Sequence, residues 1–264
     1  MKTAQIKTVI ITGATSGIGL EFAKVYAGLN YNIVAIGKDQ SKLISLKSEL
    51  EGKFSIKVDT VLADLSNTED VLKLSEYVDS LNTGIDILIN NAGTGVYGEF
   101  KDTDFTKELS MINVNVVALS YITKIILNKM IRRGEGKILN VASTAAFKPG
   151  PLMSVYYATK AYVLSFSEAV ACEIKDTGIS LTVLCPGPVK TKFLKESSGN
   201  KLKFIDYEKM SDPEEVAVAG MKALERNELV AIPGFRNKLN ALIVKFIPSK
   251  VLMNIIYRSK KNYL

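Results

Sequence analysis

A tyrosine four residues before a lysine occurs three times in this chain, and such a pair can carry proton transfer. Tyrosine has an unperturbed pKa of about 10, so it needs a nearby cation before its phenolate becomes accessible. On a helix, a lysine four residues later lies on the same face as the tyrosine. The chain has no histidine, so a tyrosine is a natural proton donor for reduction of a carbonyl. The pairs are Tyr97/Lys101, Tyr156/Lys160 and Tyr257/Lys261.

Position separates these pairs better than spacing does, because 11 tyrosines and 29 lysines give about one such pair by chance. The first pair lies in a glycine-flanked loop and the third in the C-terminal tail. Tyr156/Lys160 lies in the first turns of a long predicted helix, after a predicted strand that ends in Ser143. Ligands bind at the carboxyl ends of the strands in an open parallel sheet. Tyr157 is the adjacent competitor, but its partner four residues later is Ala161.

A glycine-rich turn between the first strand and the first helix is the second candidate for chemistry. Gly13, Gly17 and Gly19 follow the spacing G-x-x-x-G-x-G. Glycines allow a pyrophosphate to approach the backbone closely, and a helix N-terminus offers free N–H groups and the positive end of its dipole. An ordinary strand-to-helix turn is the alternative. The other residues assigned to this turn are Thr15, Ser16 and Ile18.

The end of the second strand indicates which dinucleotide fits. In NAD enzymes, an acidic residue about 20 positions on holds the ribose 2′-hydroxyl. Gly37 occupies that position here, and Lys38 follows it with a charge that can neutralise a 2′-phosphate. We therefore predict NADP(H). Asp39 keeps NAD(H) as the less favoured alternative, and a plain solvated lysine is the alternative interpretation of Lys38.

Strand-like and helix-like segments that alternate along the 264 residues must position these side chains. The near-continuous apolar strands predict an α/β fold: a single doubly wound Rossmann-type domain with about seven parallel strands and helices on both faces. The sequence Ser211–Glu214 is typical of a capping box that opens a later helix. The predicted strands are 9–12, 33–36, 56–63, 85–89, 137–142, 179–185 and 228–232, and the main predicted helices are 17–29, 67–81, 104–131, 153–176 and one that ends near 50.

Taken together, these pieces resemble the short-chain dehydrogenase/reductase family over about residues 7–233. Ser143 lies 13 residues before Tyr156, and Asn115 lies 24 residues after Asn91, as the family pattern has them. Each piece is common alone, but their joint occurrence in this order is specific. The matching pieces are Thr12-Gly13-x-x-x-Gly17-Ile18-Gly19, Asp64-Leu65, Asn90-Asn91-Ala92-Gly93, Asn115, Ser143, Tyr156-x-x-x-Lys160 and Pro186-Gly187-x-Val189-x-Thr191.

The resemblance implies a catalytic role for four residues. Tyr156 would be the acid in reduction and the base in oxidation, and Lys160 would lower its pKa and bind the nicotinamide ribose. Ser143 would hold the substrate oxygen. Asn115 would keep a water that links Lys160 to solvent. Nearby Asn113 and Thr144 are the alternatives to Asn115 and Ser143, and the family spacing selects against them.

The resemblance also implies the rest of the cofactor site. Asp64 would contact adenine and Asn91 would lie near the adenosine ribose, although Asn91 can instead be a structural residue at a strand end. Val189 and Thr191 would contact the nicotinamide end. The remaining cofactor-binding residues are Leu65, Ala92, Gly93, Pro186 and Gly187, of which the last two also suit an ordinary turn.

The positive charge of the chain is concentrated at its C-terminus. The net charge is +7, and residues 234–264 contain seven basic residues and no acidic one. The body is therefore neutral, and we predict no nucleic-acid partner. Leu239, Leu242, Ile243, Phe246 and Ile247 follow helical spacing. A basic amphipathic segment of this kind can contact an anionic membrane. The alternative is an extension that packs on the body, over the cleft or at a subunit interface. We divide the chain into a catalytic domain, 1–233, and its C-terminal extension, 234–264.

Other features predict the setting. No signal peptide and no stretch of about 20 apolar residues is evident, so we expect a cytoplasmic protein, with peripheral membrane contact as an option. Cys172 and Cys185 have apolar neighbours and are interpreted as buried thiols in a reducing compartment. We predict no metal site, because two cysteines without histidine do not make a zinc site. Residues 192–210 are predicted to form a mobile lid over the substrate.

These observations predict an NADP(H)-dependent oxidoreductase that interconverts a ketone or aldehyde and an alcohol. Apolar residues at the lid and tail favour a lipophilic substrate such as a 3-oxoacyl thioester, a steroid or a long-chain ketone. The lid residues concerned are Phe193, Leu194, Phe204 and Ile205. From the family we expect a homodimer or homotetramer. The alternative function is a non-catalytic NADP(H)-binding sensor or scaffold. A nucleotide-sugar epimerase is disfavoured by the glycine spacing.

Overall fold

Seven parallel strands form the central sheet, in the order β3-β2-β1-β4-β5-β6-β7. The structure is a computed structural model that describes residues 6–81, 84–198, 208 and 210–261. The order reverses direction between β1 and β4, which marks a doubly wound fold. The strands are β1 (Thr8–Thr12), β2 (Asn32–Gly37), β3 (Val58–Leu62), β4 (Ile87–Asn90), β5 (Gly136–Val141), β6 (Ile179–Leu184) and β7 (Val230–Ala231).

Helices cover both faces of this sheet. In β1, Val9 and Ile11 pack into the core beneath one layer of helices, and Ile10 packs into the core on the other face. Burial on both faces explains why the central strands are apolar throughout. The helices are α1 (Gly17–Gly28), α2 (Gln40–Lys53), α3 (Thr68–Ser80), α4 (Phe105–Ile112), α5 (Leu119–Arg133), α6 (Ser154–Glu173), α7 (Phe193–Ser198), α8 (Pro213–Glu225), α9 (Phe235–Ile243) and α10 (Ser249–Lys261).

The predicted α/β class, the seven strands and the C-terminal helical segment are confirmed. One long predicted helix, 104–131, is instead divided into α4 and α5 by a π-helical turn at Asn113–Ala118. Such turns insert an extra residue into a helix and are frequent at functional sites. A further short turn, the 3₁₀ helix Thr144–Phe147, follows β5.

The predicted capping box at Ser211 is wrong by one residue. Asp212 is the residue that caps α8, and its carboxylate accepts a hydrogen bond from the Glu214 backbone N–H at 3.1 Å. Pro213 occupies the first turn of the helix, where its missing N–H costs nothing. The Ser211 backbone is used otherwise, since it pairs with the segment around Val189.

Two further expectations need correction. Cys172 is exposed, and only Cys185 is buried, because Cys172 lies off the stripe of α6 that faces the sheet. The helical stretch Phe105–Arg133 is long and apolar enough to cross a membrane, with a mean hydropathy of 1.5 over 18 residues, contrary to the expectation that no such stretch exists. Its inner side, with Ile122 and Ile126, lies in the core beside the sheet, as in a core helix of a globular domain.

Candidate active site

A cleft of about 280 Å³ lies where the carboxyl ends of β1, β4, β5 and β6 meet. Each strand contributes the loop that follows it. The first residues after these strands that line the cleft are Gly13, Asn91, Ala142 and Pro186. The cleft therefore lies at the topological switch point, where ligands bind in open parallel sheets. The predicted residues that line it are Gly13, Ser16, Gly17, Ile18, Asn91, Ala92, Gly93, Ser143, Tyr156, Lys160, Pro186, Gly187, Val189 and Thr191.

The glycine-rich turn has a backbone that only glycine fits well. Gly13 and Gly17 have φ angles of 65° and 55°, in the left-handed region that side chains disfavour. A Cβ on Gly19 would lie 2.2 Å from the Gly13 carbonyl oxygen. The following helix α1 begins at Gly17; Ser16 precedes it without a capping side-chain hydrogen bond, and the first turn has no acidic residue. Its first N–H groups are thus available to an anion.

Asn91 ties the end of β4 to this turn. Its side-chain amide donates hydrogen bonds to the carbonyl oxygens of Thr12 and Gly13, at 3.1 and 3.2 Å. The Thr12 hydroxyl in turn accepts from the backbone N–H groups of Asn91 and Ala92, both at 3.0 Å. The structural interpretation of Asn91 therefore holds, and its place in the cleft is compatible with cofactor contact as well. Thr12 was not among the predicted site residues.

Tyr156 and Ser143 both line the floor of the cleft, with their hydroxyl groups near each other. Burial raises the pKa of the Tyr156 hydroxyl above its usual value, and the nearby Ser143 hydroxyl opposes this rise. Ser143 begins the short turn after β5, and its oxygen accepts from the Ala145 backbone N–H at 3.1 Å. The arrangement places two hydroxyl groups side by side.

Lys160 lies one helical turn after Tyr156 and is buried, with 5% of its surface exposed. Its ammonium group donates to the Val141 carbonyl at 2.9 Å and lies 6.0 Å from the centroid of the Tyr156 ring. Burial lowers the pKa of Lys160 to about 8, with a small opposing effect of Cys185. The cation and the tyrosine are therefore brought together as predicted, although the ammonium points toward the backbone of β5.

Asn115 is fully buried in the π-helical turn and connects two parts of the site. Its amide oxygen accepts from the Thr94 backbone N–H, and its amide nitrogen donates to the Thr94 carbonyl and to the Thr159 hydroxyl, all at 3.0 Å. A Cβ on Gly93 would lie 3.3 Å from both the Asn115 oxygen and the Lys160 ammonium. Asn115 thus fixes the loop after β4 against α6, close to Lys160.

The competing residues occupy other places. Asn113 donates to the Ser66 carbonyl at 3.0 Å, and Thr144 does not line the cleft. Tyr97 is buried near the cleft, but Lys101 is exposed, with ion pairs to two acidic residues. Tyr157 does line the cleft.

The adenosine end of the predicted site lies beyond this cleft. Asp39 caps α2 by accepting from the Lys42 backbone N–H at 3.2 Å, and it forms an ion pair with the Lys42 ammonium at 2.7 Å. These bonds hold the pKa of Asp39 well below its usual range. Burial raises the pKa of Asp64, but hydrogen bonds from Ser66 and the charge of Lys38 outweigh it and leave that pKa lowered. The predicted residues outside the cleft are Thr15, Gly19, Lys38, Asp64, Leu65 and Asn115.

An apolar wall on the other side of the cleft was largely missed from the sequence. It includes Ala145, Met153, Tyr157, Phe193 and Leu194. The first part of the predicted lid forms α7, whose Phe193 ring lies 5.4 Å from the Tyr156 ring. The rest of the lid, 199–207 and 209, with Phe204 and Ile205, lies outside the described residues.

Comparison with known proteins agrees with this geometry. Residues 7–201 match the family model for short chain dehydrogenases. The ketoacyl reductase HetN of Nostoc sp. is 29% identical over 94% of this chain and 85% of its own length. The very-long-chain 3-oxoacyl-CoA reductase of Rattus norvegicus is 29% identical over 97% and 81%. A short-chain dehydrogenase from Sphingobium yanoikuyae, solved in complex with NADPH, superposes with a TM-score of 0.81 at 28% identity over 94% of this chain and 96% of its own. The chain belongs to the short-chain dehydrogenase/reductase family and is an oxidoreductase of that family.

Proposed function

We propose that this oxidoreductase uses NADP(H) to interconvert a carbonyl group and a secondary alcohol on a lipophilic substrate, with Tyr156 as the general acid and base. The observation that carries the proposal is that Tyr156, Ser143 and Lys160 line the same cleft as the glycine turn. The start of α1 has no side-chain cap, and Gly13 and Gly17 carry no side chain that would keep a pyrophosphate away from the backbone. Both features fit a bound pyrophosphate.

The chain's own residues then divide the work. A bound nicotinamide supplies or accepts the hydride. Ser143 donates a hydrogen bond to the substrate oxygen, where negative charge develops in reduction. Tyr156 donates a proton to that oxygen, or removes one in the reverse direction. The Lys160 cation stabilises the resulting phenolate, and Asn115 holds the backbone near Lys160 so that a water can reconnect it to solvent.

Replacement of Tyr156 by phenylalanine tests this assignment. The variant keeps the ring packing but loses the proton, so we expect carbonyl reduction to fall by about 10²-fold to 10⁴-fold, with the affinity for NADPH unchanged. NADPH oxidation is followed over a panel of ketones and aldehydes. Tyr157→Phe is the matched control, since this neighbouring tyrosine also lines the cleft. A wild-type protein that binds NADPH but is inert across the panel supports the sensor or scaffold alternative.

The preference for NADP(H) is supported by the charges at the end of β2. Asp39 is committed to the cap of α2 and to Lys42, whereas Lys38 is exposed beside that strand end and its charge reaches Asp64. We expect Lys38→Ala to raise the dissociation constant for NADPH about tenfold or more and to leave that for NADH unchanged. Lys47→Ala, at a lysine of α2 whose side chain is 42% exposed, is the control. A preference of the wild type for NADH would overturn the assignment.

A lipophilic substrate is supported by the apolar wall of Met153, Tyr157, Phe193 and Leu194 opposite the hydroxyl pair. Two similar proteins, a ketoacyl reductase and a very-long-chain 3-oxoacyl-CoA reductase, are named for acyl substrates of this lipophilic class. We expect kcat/KM to rise with the length of an aliphatic ketone, and Phe193→Ala to weaken that rise. A flat response to chain length would contradict the lipophilic class.

The setting of the enzyme stays a prediction. We propose a cytoplasmic homodimer or homotetramer, and the thiols of Cys172 and Cys185 are both free, as in a reducing compartment. Sedimentation velocity at several protein concentrations measures the oligomeric state.

A further inference from the structure

Helix α9 is oriented with its apolar stripe toward solvent. The side that packs on the body presents Ala241, which is 5% exposed, and Asn237, which donates to the Pro233 carbonyl at 2.7 Å. The Asn237 side chain lies so close to Gly187 that a Cβ there would come within 2.5 Å of its amide oxygen. At 3.6 residues per turn, the apolar stripe lies on the opposite side. The stripe consists of Phe235, Leu239, Leu242 and Ile243, with exposures of 80%, 44%, 54% and 45%.

The next two elements also expose apolar side chains. Phe246, in the turn after α9, is 80% exposed, and Val251 and Ile255 on α10 are 51% and 59% exposed. The opposite side of α10 packs inward, where Tyr257 donates to the Glu99 carboxylate at 2.9 Å and joins the apolar cluster of the cleft wall. An amphipathic pair that packs on the body would bury such a stripe. We call the seven exposed apolar residues the tail surface: Phe235, Leu239, Leu242, Ile243, Phe246, Val251 and Ile255.

Basic side chains border the apolar stripe on α9, and two more are exposed on α10. Arg236 and Lys238 lie on either side of the stripe on α9, and Lys250 and Arg258 are exposed on α10. Residues 234–264 contain no acidic residue. An apolar stripe between basic side chains is the pattern of a helix that lies in the plane of an anionic membrane surface.

We propose that the tail surface docks the protein peripherally on an anionic lipid bilayer. The apolar side chains enter the boundary between headgroups and acyl chains, and the basic side chains bind lipid phosphates and carboxylates. A second copy of this chain fits less well. A symmetric contact would bring the same basic residues of both copies together without an acidic partner in the segment.

The orientation of α10 has a consequence for the cleft. Its outer side carries Val251 and Ile255, and its inner side carries Tyr257 beside the cleft wall. Docking through the tail surface therefore brings the apolar side of the cleft close to the bilayer. The binding proposal itself does not depend on the reaction, because it concerns only the surface.

Vesicle co-sedimentation of the full chain tests the proposal. The probes are vesicles of pure phosphatidylcholine and vesicles with about 30% phosphatidylserine. We expect the wild type to bind the anionic vesicles and to lose affinity as salt increases. Phe235→Ser/Phe246→Ser should weaken binding at least about tenfold, because two exposed aromatic anchors are removed. Arg236→Gln/Lys238→Gln should weaken binding to anionic vesicles about tenfold.

Ile44→Ser/Leu72→Ser is the matched control, since these residues of α2 and α3 are 57% and 50% exposed and lie outside the tail surface. It should bind vesicles as the wild type does. Circular dichroism and NADPH affinity of each variant verify the fold. Wild-type protein that sediments with neither vesicle, or equal binding by the Phe235/Phe246 variant, overturns the proposal. The proposal is also overturned if the wild type binds no vesicles but forms a concentration-dependent dimer that the Phe235/Phe246 variant does not form. The tail surface would then join two copies of the chain.

Discussion

Replacement of Lys160 by methionine is expected to stabilise the fold near neutral pH while it removes the cation of the proposed mechanism. The Lys160 side chain is 5% exposed, and its nearest hydrogen-bond partner is the neutral carbonyl of Val141. Burial in these surroundings lowers its pKa from the usual 10.5 to about 8. The charged form is therefore less stable in the folded protein than in the unfolded chain.

The size of this effect follows from the two pKa values. The interval from 10.5 to about 8 corresponds to about 3 kcal/mol. Below pH 8, Lys160 is charged in both states, so the wild type carries the whole penalty. Between pH 8 and 10.5 the unfolded chain holds a proton that the folded chain has released, so the free energy of unfolding rises with pH. Above 10.5 both states are neutral and the penalty is gone.

Methionine has a similar length and carries no charge, so it removes the penalty at every pH. It also removes the hydrogen bond to Val141, which lowers the gain by about 1 kcal/mol at all pH values. Near pH 7, the variant should therefore be more stable than the wild type by about 2 kcal/mol. This advantage should shrink by about 2 kcal/mol between pH 7 and pH 9.5, because the wild type gains stability over that range.

Urea unfolding of both proteins at several pH values measures the difference. The hydrogen-bond contribution is independent of pH, so the change in the difference isolates the buried charge. Lys73→Met, at an α3 lysine whose side chain is 68% exposed, is the control and should show no such trend. The reasoning would be refuted if the difference in free energy of unfolding between the wild type and the Lys160 variant stayed constant from pH 7 to 9.5.

Three further results are expected. Gly19→Ala should abolish dinucleotide binding, measured by NADPH fluorescence titration, because its Cβ would lie 2.2 Å from the Gly13 carbonyl oxygen; unchanged affinity would show that the turn adapts. Asp212→Ala should lower the free energy of unfolding by about 1 kcal/mol, because the α8 cap is lost. Ser211→Ala should leave the free energy of unfolding unchanged within error, since the Ser211 side chain does not cap that helix. The reverse result would restore the predicted capping box. In the folded protein a thiol reagent should label Cys172, the exposed cysteine, whereas the buried Cys185 should react only in denaturant. Mass spectrometry measures the labelling of each cysteine.

The fold could be predicted because its signals are local. Apolar runs such as that of β1 fill both faces of a sheet, and the alternation with helices leaves few arrangements other than a doubly wound one. The π-helical turn at Asn113–Ala118 was not predictable, because one extra residue in a helical turn leaves the apolar spacing almost unchanged. The exposure of Cys172 was predictable, since Val163, Ser167 and Ile174 define the buried stripe and Cys172 lies off it.

In the candidate site, too, the residues with a local sequence signal were predicted and those without one were not. Glycine spacing and the order of hydroxyl, tyrosine and lysine residues located the cleft, because these residues follow directly after strands. The residues that fix them were missed. Thr12 binds backbone groups 79 and 80 positions away, and Thr159 binds Asn115 across 44 positions. A threonine inside a strand or helix shows no local sign of such a partner, so only the folded chain reveals these contacts.

The reversal of strand order between β1 and β4 also bears on how the chain acquires its shape during synthesis. A nascent chain that has emerged as far as Leu62 contains β1, β2 and β3, which are neighbours in the sheet. The cleft needs the ends of β4, β5 and β6 as well, and its lining is complete only after Glu196 has left the ribosome. A dinucleotide therefore cannot act as a template for the first half of the sheet. The dinucleotide can bind only after the two halves of the sheet have joined. Cofactor binding therefore stabilises completed molecules and not partly folded ones.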